Sequence, residues 1–379
     1  MIYYLFFFLD CFLIEYFKKR NKQLSVICIV ALFGFLCFGY MTGSDWREYE
    51  VYYTGEAESS HATKGDFGYV LLSQFFYKFI PDFWLFSALF KIVYLWSFVK
   101  FINIFHDKPY VVVGFAFAGS LLFMLIDCPF RFMIAMSSVL IGLSILLNKK
   151  FKKKRIISIP FFLIAPTIHM AVLFVILIFF TFPLAKFISK TNRFFLFAAY
   201  LVMLFVAFET PIFTYIFENV IPIFGTDRYE NYEEADTLHL MNIGTLKYAV
   251  LLLIILYFRD IIIQKEKGNM VYYFAVLSII LQPLLMCIPT AFRINILSDS
   301  FMWIALAYIY TVPYKSKVRA VIRVGLILFC MVFISKDCIT NWRYTPYSNS
   351  ITHIIMDNHL PYSVRNSYNP IHHDDEFWH

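Results

Sequence analysis

The sequence predicts an all-α polytopic membrane protein, and three observations carry that prediction. The 379 residues are 60% hydrophobic, 21% aromatic and only 16% charged, with a mean hydropathy of +0.66. That apolar excess is beyond what the core of a soluble domain needs. The apolar residues fall in runs of roughly 16 to 23, against the ~20 that cross a bilayer as a helix. The basic residues gather in short loops between those runs, so the net charge of +7 reads as a topology signal and not as affinity for nucleic acid. The runs leave room for about 10 transmembrane helices plus a re-entrant hairpin, about 10 to 12 spans in all, with outer-face loops and short interfacial helices.

The first run, MIYYLFFFLDCFLIEYF, has no basic leader and no small-residue cleavage site, and it carries Asp10 and Glu15. It reads as a retained first helix. The basic loops KKRNK, HDK at Asp107, 149–155, 186–193, QKEKGN at Gln264 and YKSKVR at Tyr314 are assigned to the cytoplasm by the positive-inside rule. Spans follow at 2–17, 24–41, 83–105, 110–126, 130–148, 194–209, 248–263, 270–288, 294–312 and 318–335, with both termini outside. This gives one transmembrane domain, 1–335, with outer loops at about 42–81 and 210–247, and a tail, 336–379, on the outer side.

Residues 156–182 resist a single crossing, which would carry the loop 186–193 outside. A hairpin resolves this: two half-helices of about 13 residues, each rising roughly 20 Å, meet at Ala165-Pro166-Thr167-Ile168-His169. Pro160 and Pro166 supply the breaks. Broken backbone at membrane depth needs protein or water around it, so His169 is expected to line a cavity. Residues 67–80, short and amphipathic and ended by Pro81, read as an outer interfacial helix.

The expected outer face opens with YMTGSDWREYEVYY, residues 40–53, in which Asp45, Arg47, Glu48 and Glu50 sit among tyrosines and Trp46. Arg47, Arg131, Arg228, Arg293 and Arg343 recur at the membrane edge on the side where positive charge is disfavoured. Arginines there ask for an anionic ligand, and a guanidinium fork binds phosphate oxygens in pairs as lysine does not. A lipid-linked diphosphate fits. Snorkelling to headgroups accounts equally for Arg131 and Arg293 taken singly, and a solvated loop accounts for Asp45. Tyr49, Tyr229 and Tyr232 suit either an interfacial belt or a sugar path. The seven cysteines have no metal-binding spacing and read as small core residues, with Cys128, Cys287 and Cys338 near outer edges. The terminal HHDDEFWH lacks finger or helical spacing and reads as a mobile tail; no metal or other cofactor is expected.

The stretches GSDWREYEVYY, GDFGYVLLSQFF, PFRFMIAMSSVLIGLSILL before a basic loop, FFLIAPTIHMAVL, RYENYEE, AFRINILSDSFMWIAL and WRYTPY occur in an order that resembles the EpsG-type polysaccharide polymerases. These are a branch of the Wzy-like membrane enzymes that polymerise O-antigen, capsule or exopolysaccharide repeat units. The sequence departs from the family in having Asp66 before Phe67-Gly68, where a glutamate before Gly-Phe is usual. The resemblance implies a GT-C-like membrane glycosyltransferase in the bacterial inner membrane. Its reaction joins undecaprenyl-diphosphate-linked oligosaccharides at the periplasmic face, in the lipid bilayer, beside the chain-length regulator and flippase of the same pathway. On that reading Arg131 and Arg293 hold diphosphate, and His169 or Asp45 orients the acceptor hydroxyl. Arg47, Tyr49, Asp66, Arg228, Tyr229, Tyr232, Trp342 and Arg343 then line the substrate. Arginines in these places make a metal unnecessary. A lipid-linked-oligosaccharide flippase would put its charges in a mid-depth cavity behind short loops, whereas an O-antigen ligase or membrane acyltransferase would share the histidine and arginine logic.

Overall fold

The computed structural model describes residues 1–43, 45–55, 66–149, 152–209, 243–286, 291–341, 343–344, 347–356 and 361–365. These are almost wholly helical and group into two compact units, one formed by Met1–Leu173 with Pro313–His379 and the other by Phe174–Val312.

The first unit begins with α1 (Ile2–Phe17) and α2 (Lys22–Cys37). Asn21 caps α2 by accepting from the Leu24 amide at 3.1 Å, satisfying one of the donors a helix start leaves open. After β1 (Gly39–Tyr40) the charged aromatic loop is itself a helix, α3 (Trp46–Thr54), stopped by Gly55 at φ +75. The amphipathic segment is α4 (Phe67–Tyr77). Its exposed Phe67, Leu71 and Phe75 recur every fourth residue and form one apolar stripe, as an interfacial helix requires.

The long α5 (Phe83–Ile102) follows Pro81 and is capped by Asp82, which accepts from the Leu85 amide at 2.8 Å. The run expected to cross once at 110–126 does not run straight. It is α6 (Pro109–Phe117) and α7 (Ser120–Leu122), the latter continuing as a π turn through Phe123–Asp127, with an 83° bend between them. Gly119, at φ −169 and ψ −111, takes the chain out of the helical region there.

Next come α8 (Phe130–Leu147) and α9 (Lys154–Ile168), packed closely enough that a Cβ on Gly142 would press on Phe161 and Phe162. The expectation that Pro160 and Pro166 break this segment is corrected: both lie inside the continuous α9. The helix ends only at His169, whose backbone is extended. Proline removes one intrahelical hydrogen bond, and neighbouring packing can hold the turn it weakens. Ser138 of α8 donates to the Phe161 carbonyl at 2.9 Å, and so ties the proline-bearing helix to its neighbour.

In the second unit, α10 (Val172–Phe179), most of which lies there, and α11 (Ala185–Ile188) lead into α12 (Arg193–Glu209). Then follow α13 (Ile243–Tyr257), α14 (Arg259–Ile263), α15 (Gly268–Met286), a 3₁₀ turn (Ala291–Asn295) and α16 (Ile296–Thr311). The loop 186–193 meets α14 at one end. Arg259 donates to the Thr191 carbonyl at 3.1 Å and to the Ser189 carbonyl, and Arg193 pairs with Asp260 at 2.6 Å. Between α15 and α16 the Asn295 side-chain amide donates to the Ser278 carbonyl at 2.8 Å and to Gln282 at 3.1 Å. Asp299 accepts from the Ser278 hydroxyl.

The chain returns to the first unit with α17 (Ser316–Thr340), β2 (Ser348–Asn349) and α18 (Ser350–Met356). β2 pairs antiparallel with β1, Gly39 opposite Asn349 and Tyr40 opposite Ser348. The Tyr4 hydroxyl donates to the Tyr344 carbonyl at 2.6 Å, and the Tyr347 amide donates to the Tyr3 hydroxyl at 3.2 Å. The N-terminus and the segment after α17 therefore occupy the same end of this unit.

Among the described residues, Phe83–Ile102, Phe130–Leu147, Gly268–Met286 and Lys317–Thr340 are long and apolar enough to cross a membrane, and the bent pair makes up to five. The expectation of about 10 spans also counts the shorter apolar helices, such as Lys22–Cys37 and Thr245–Tyr257. A 16-residue helix rises about 24 Å against a hydrocarbon core of about 30 Å.

Candidate functional site

Several segments that the sequence assigns to the outer face meet at one end of the first unit. Gly43 donates its amide to the Arg343 carbonyl at 3.2 Å, and Arg343 Nε lies 3.6 Å from Asp127 Oδ1. Gly43 has φ +77, and a Cβ there would collide with the Asp127 backbone. Only glycine suits both the left-handed conformation and the close approach. The loop after β1, the turn before α8 and the segment after α17 are thus fastened together.

At the centre stands Arg131, in the first turn of α8. Its Nε donates to the Tyr49 hydroxyl at 3.0 Å and its Nη1 to Asp66 Oδ2 at 2.7 Å. The Arg131 side chain is 12% exposed and that of Asp66 7%, so the pair is largely shielded from water and held on both sides. Asp66 is placed by the start of α4, where its carbonyl accepts from the Tyr69 and Val70 amides. Tyr49 is placed by α3, against the rings of Tyr69 and Phe130. The shorter acid that stands where the resemblance leads one to expect glutamate still reaches the guanidinium.

His169 packs on α8 one residue beyond Arg131: its ring centroid lies 5.5 Å from that of Phe132, the two rings nearly perpendicular. Its Nδ1 accepts from the Ala171 amide at 3.3 Å, which fixes the ring orientation at the end of α9. A Cβ on Gly68 of α4 would collide with Thr167 of α9, so the start of α4, with Asp66, sits directly on the helix end that carries His169. Asp45 stands at the N-terminus of α3, and its carbonyl accepts from the Tyr49 amide at 3.4 Å. Arg47 lies over the Trp46 ring at 5.7 Å.

A second charge pair went unseen in the sequence. Arg365 grips Glu50 with both arms, Nη1 to Oε2 at 2.6 Å and Nη2 to Oε1 at 2.7 Å, and Trp84 Nε1 donates to the same carboxylate at 3.2 Å. The guanidinium is surrounded by Tyr40, Trp46, Trp84 and Tyr362, all with ring centroids within 6 Å. Burial works against the Arg365 charge, but the hydrogen bonds and charge of Glu50 outweigh it and hold its pKa above the ordinary arginine value. Nothing in the local sequence around Arg365 separates it from a tail residue. Only the fold brings it to α3.

Arg293 lies in the second unit, in the 3₁₀ turn before α16. Its Nε is buried without a hydrogen-bond partner among the described residues. Arg228, Tyr229, Tyr232 and Trp342 lie outside the described residues, as does the HHDDEFWH segment.

No curated protein and no solved structure gives a significant match to the chain. The sequence model of the EpsG family does match, over residues 22–349. That span takes in the Asp66–Arg131–Tyr49 layer, His169, Arg293 and Arg343. With most of its length matched in this way, the chain belongs to the EpsG family.

Proposed function

We propose that this membrane protein polymerises lipid-linked oligosaccharide repeat units by glycosyl transfer at the outer face of the bacterial inner membrane. The observation that carries the proposal is the Asp66–Arg131–Tyr49 layer in a chain of the EpsG family. A buried guanidinium aligned by a carboxylate and a phenol is a preorganised site for phosphate oxygens. In the reaction, the terminal hydroxyl of one lipid-linked chain attacks the anomeric carbon of another. The bond from that carbon to the diphosphate oxygen breaks, and undecaprenyl diphosphate leaves with its electron pair. Arg131 stabilises the charge that grows on the diphosphate. The hydroxyl proton passes to a nearby base, a role we assign to His169 or Asp45. Tyr49 orients the guanidinium, and the aromatic surface of α3 shapes the sugar path.

The test is substitution with retained charge. Arg131→Lys keeps the cation and loses the planar fork, and Asp66→Asn keeps the shape and loses the anion. Each is expected to lower polymer output at least about 100-fold, the scale of losing one transition-state hydrogen-bond donor, while inserted protein stays near the wild-type level and single-repeat lipid accumulates. Full-length polymer from both variants would remove this layer from the reaction. Arg293→Lys is the parallel experiment for the second unit.

A further inference from the structure

Lys91 stands two turns inside α5, in an apolar helix, and is 2% exposed. Among the described residues its ammonium makes no ion pair and no hydrogen bond. Glu50 is engaged by Arg365 and Trp84, and Asp127 faces Arg343. A charged group in such a place is costly and is kept where it meets a partner or a polar cavity. The cavity is there: Lys91 shares it with Thr42, Ser87, Tyr49 and Cys128, and aromatic rings that include Phe83 and Trp84 close the rest of its wall. A second observation points the same way. The Thr42 hydroxyl, in the same wall, is buried without a hydrogen-bond partner among the described residues.

The chemistry of the wall selects the occupant. Lys91 offers three N–H donors and no acceptor, and the Thr42 and Ser87 hydroxyls can each turn a proton inward. A water molecule could accept from some of these donors and give its own hydrogens to the hydroxyl oxygens, but it would leave the ammonium charge without a counter-ion in the cavity. A monatomic anion answers both demands. We infer that Lys91, Thr42 and Ser87 form a binding site for a single halide-sized anion, chloride under ordinary conditions, beneath the Tyr49 side of the Arg131 layer. The anion neutralises the buried lysine and fixes the base of α3 against α5.

The experiment uses the purified full chain in detergent or nanodiscs and needs no polymer assay, so its result is independent of the glycosyl-transfer reading. Thermal unfolding is followed while sodium gluconate is replaced by sodium chloride or bromide at constant ionic strength. The midpoint is expected to rise saturably with either halide, as linkage to a ligand of the native state requires. Thr42→Val should weaken the apparent halide affinity about threefold to tenfold, and Lys91→Met should abolish the dependence. Crystals grown in bromide should carry an anomalous peak in the cavity. Identical wild-type midpoints in gluconate and chloride would overturn the inference, as would an unchanged halide response in Lys91→Met. If Lys91→Met does not fold, the wild-type titration and Thr42→Val decide the question.

Discussion

Glu50 has a structural duty that its place in a charged stretch does not announce: it accepts from both arms of Arg365 and from Trp84. It lies on α3 one position after Tyr49, so the clamp of Arg365 on Glu50 also holds the helix that aligns Arg131. Removing one partner of a buried pair leaves an uncompensated charge, worth about 3 to 5 kcal/mol, whereas replacing both by apolar residues is far milder. Arg365→Leu is therefore expected to destabilise the protein by about that amount. Glu50→Leu combined with Arg365→Leu should recover much of the loss. Denaturant unfolding of the purified variants measures both, and additive losses in the double variant would show that the two groups are not coupled. Of the Arg131 layer, the arginine was legible in the sequence as a cation at a membrane edge and Tyr49 as a ring of an interfacial belt or sugar path, whereas Asp66 entered only through the resemblance. Their pairing was not legible, because Asp66 and Arg131 are separated by 65 residues and no local pattern reports a contact across that distance.

Helices packed without room for side chains set the position of the site. α4 meets α9 where Gly68 faces Thr167, two residues from Asp66. Gly68→Val should cost about 1 to 3 kcal/mol through overpacking and should draw Asp66 away from Arg131. The expected result is inserted protein with polymer output reduced at least about tenfold, each tenfold being about 1.4 kcal/mol in the barrier. Normal output would show that the contact is not needed for the site. At this scale the sequence was informative about where helices run: α1, α5, α8 and α12 begin within a residue of expectation, because hydrophobic runs between basic loops determine them. It was misleading about where they bend. Pro160 and Pro166 mark breaks by propensity, yet α8 supports α9 through both, while the 83° bend at Ala118–Gly119 has no proline to announce it. Tertiary packing decides such cases, and it is not written in residue propensity.

Across the molecule, the arrangement of basic loops makes a claim about sidedness. In the second unit, 186–193 and α14 meet through Arg259, Arg193 and Asp260, as loops on one side of a membrane would. Single cysteines placed at Lys152 and at Lys190, in a background without other reactive cysteines, should both resist an impermeant thiol reagent in intact spheroplasts and both react after lysis. Labelling of Lys190→Cys alone in intact cells would mean that 156–182 crosses once and that the re-entrant hairpin is wrong. The strap formed by β2, α18 and Arg365 adds a temporal dimension. Arg365 is made 315 residues after Glu50, which at bacterial translation rates of about 5 to 20 residues per second is a delay of roughly 15 seconds to a minute. By the end of that interval the ribosome has delivered every other helix of the first unit, α18 included, and until then α3 has no clamp. The end of the first unit that carries the Arg131 layer is thus completed only when Arg365 emerges.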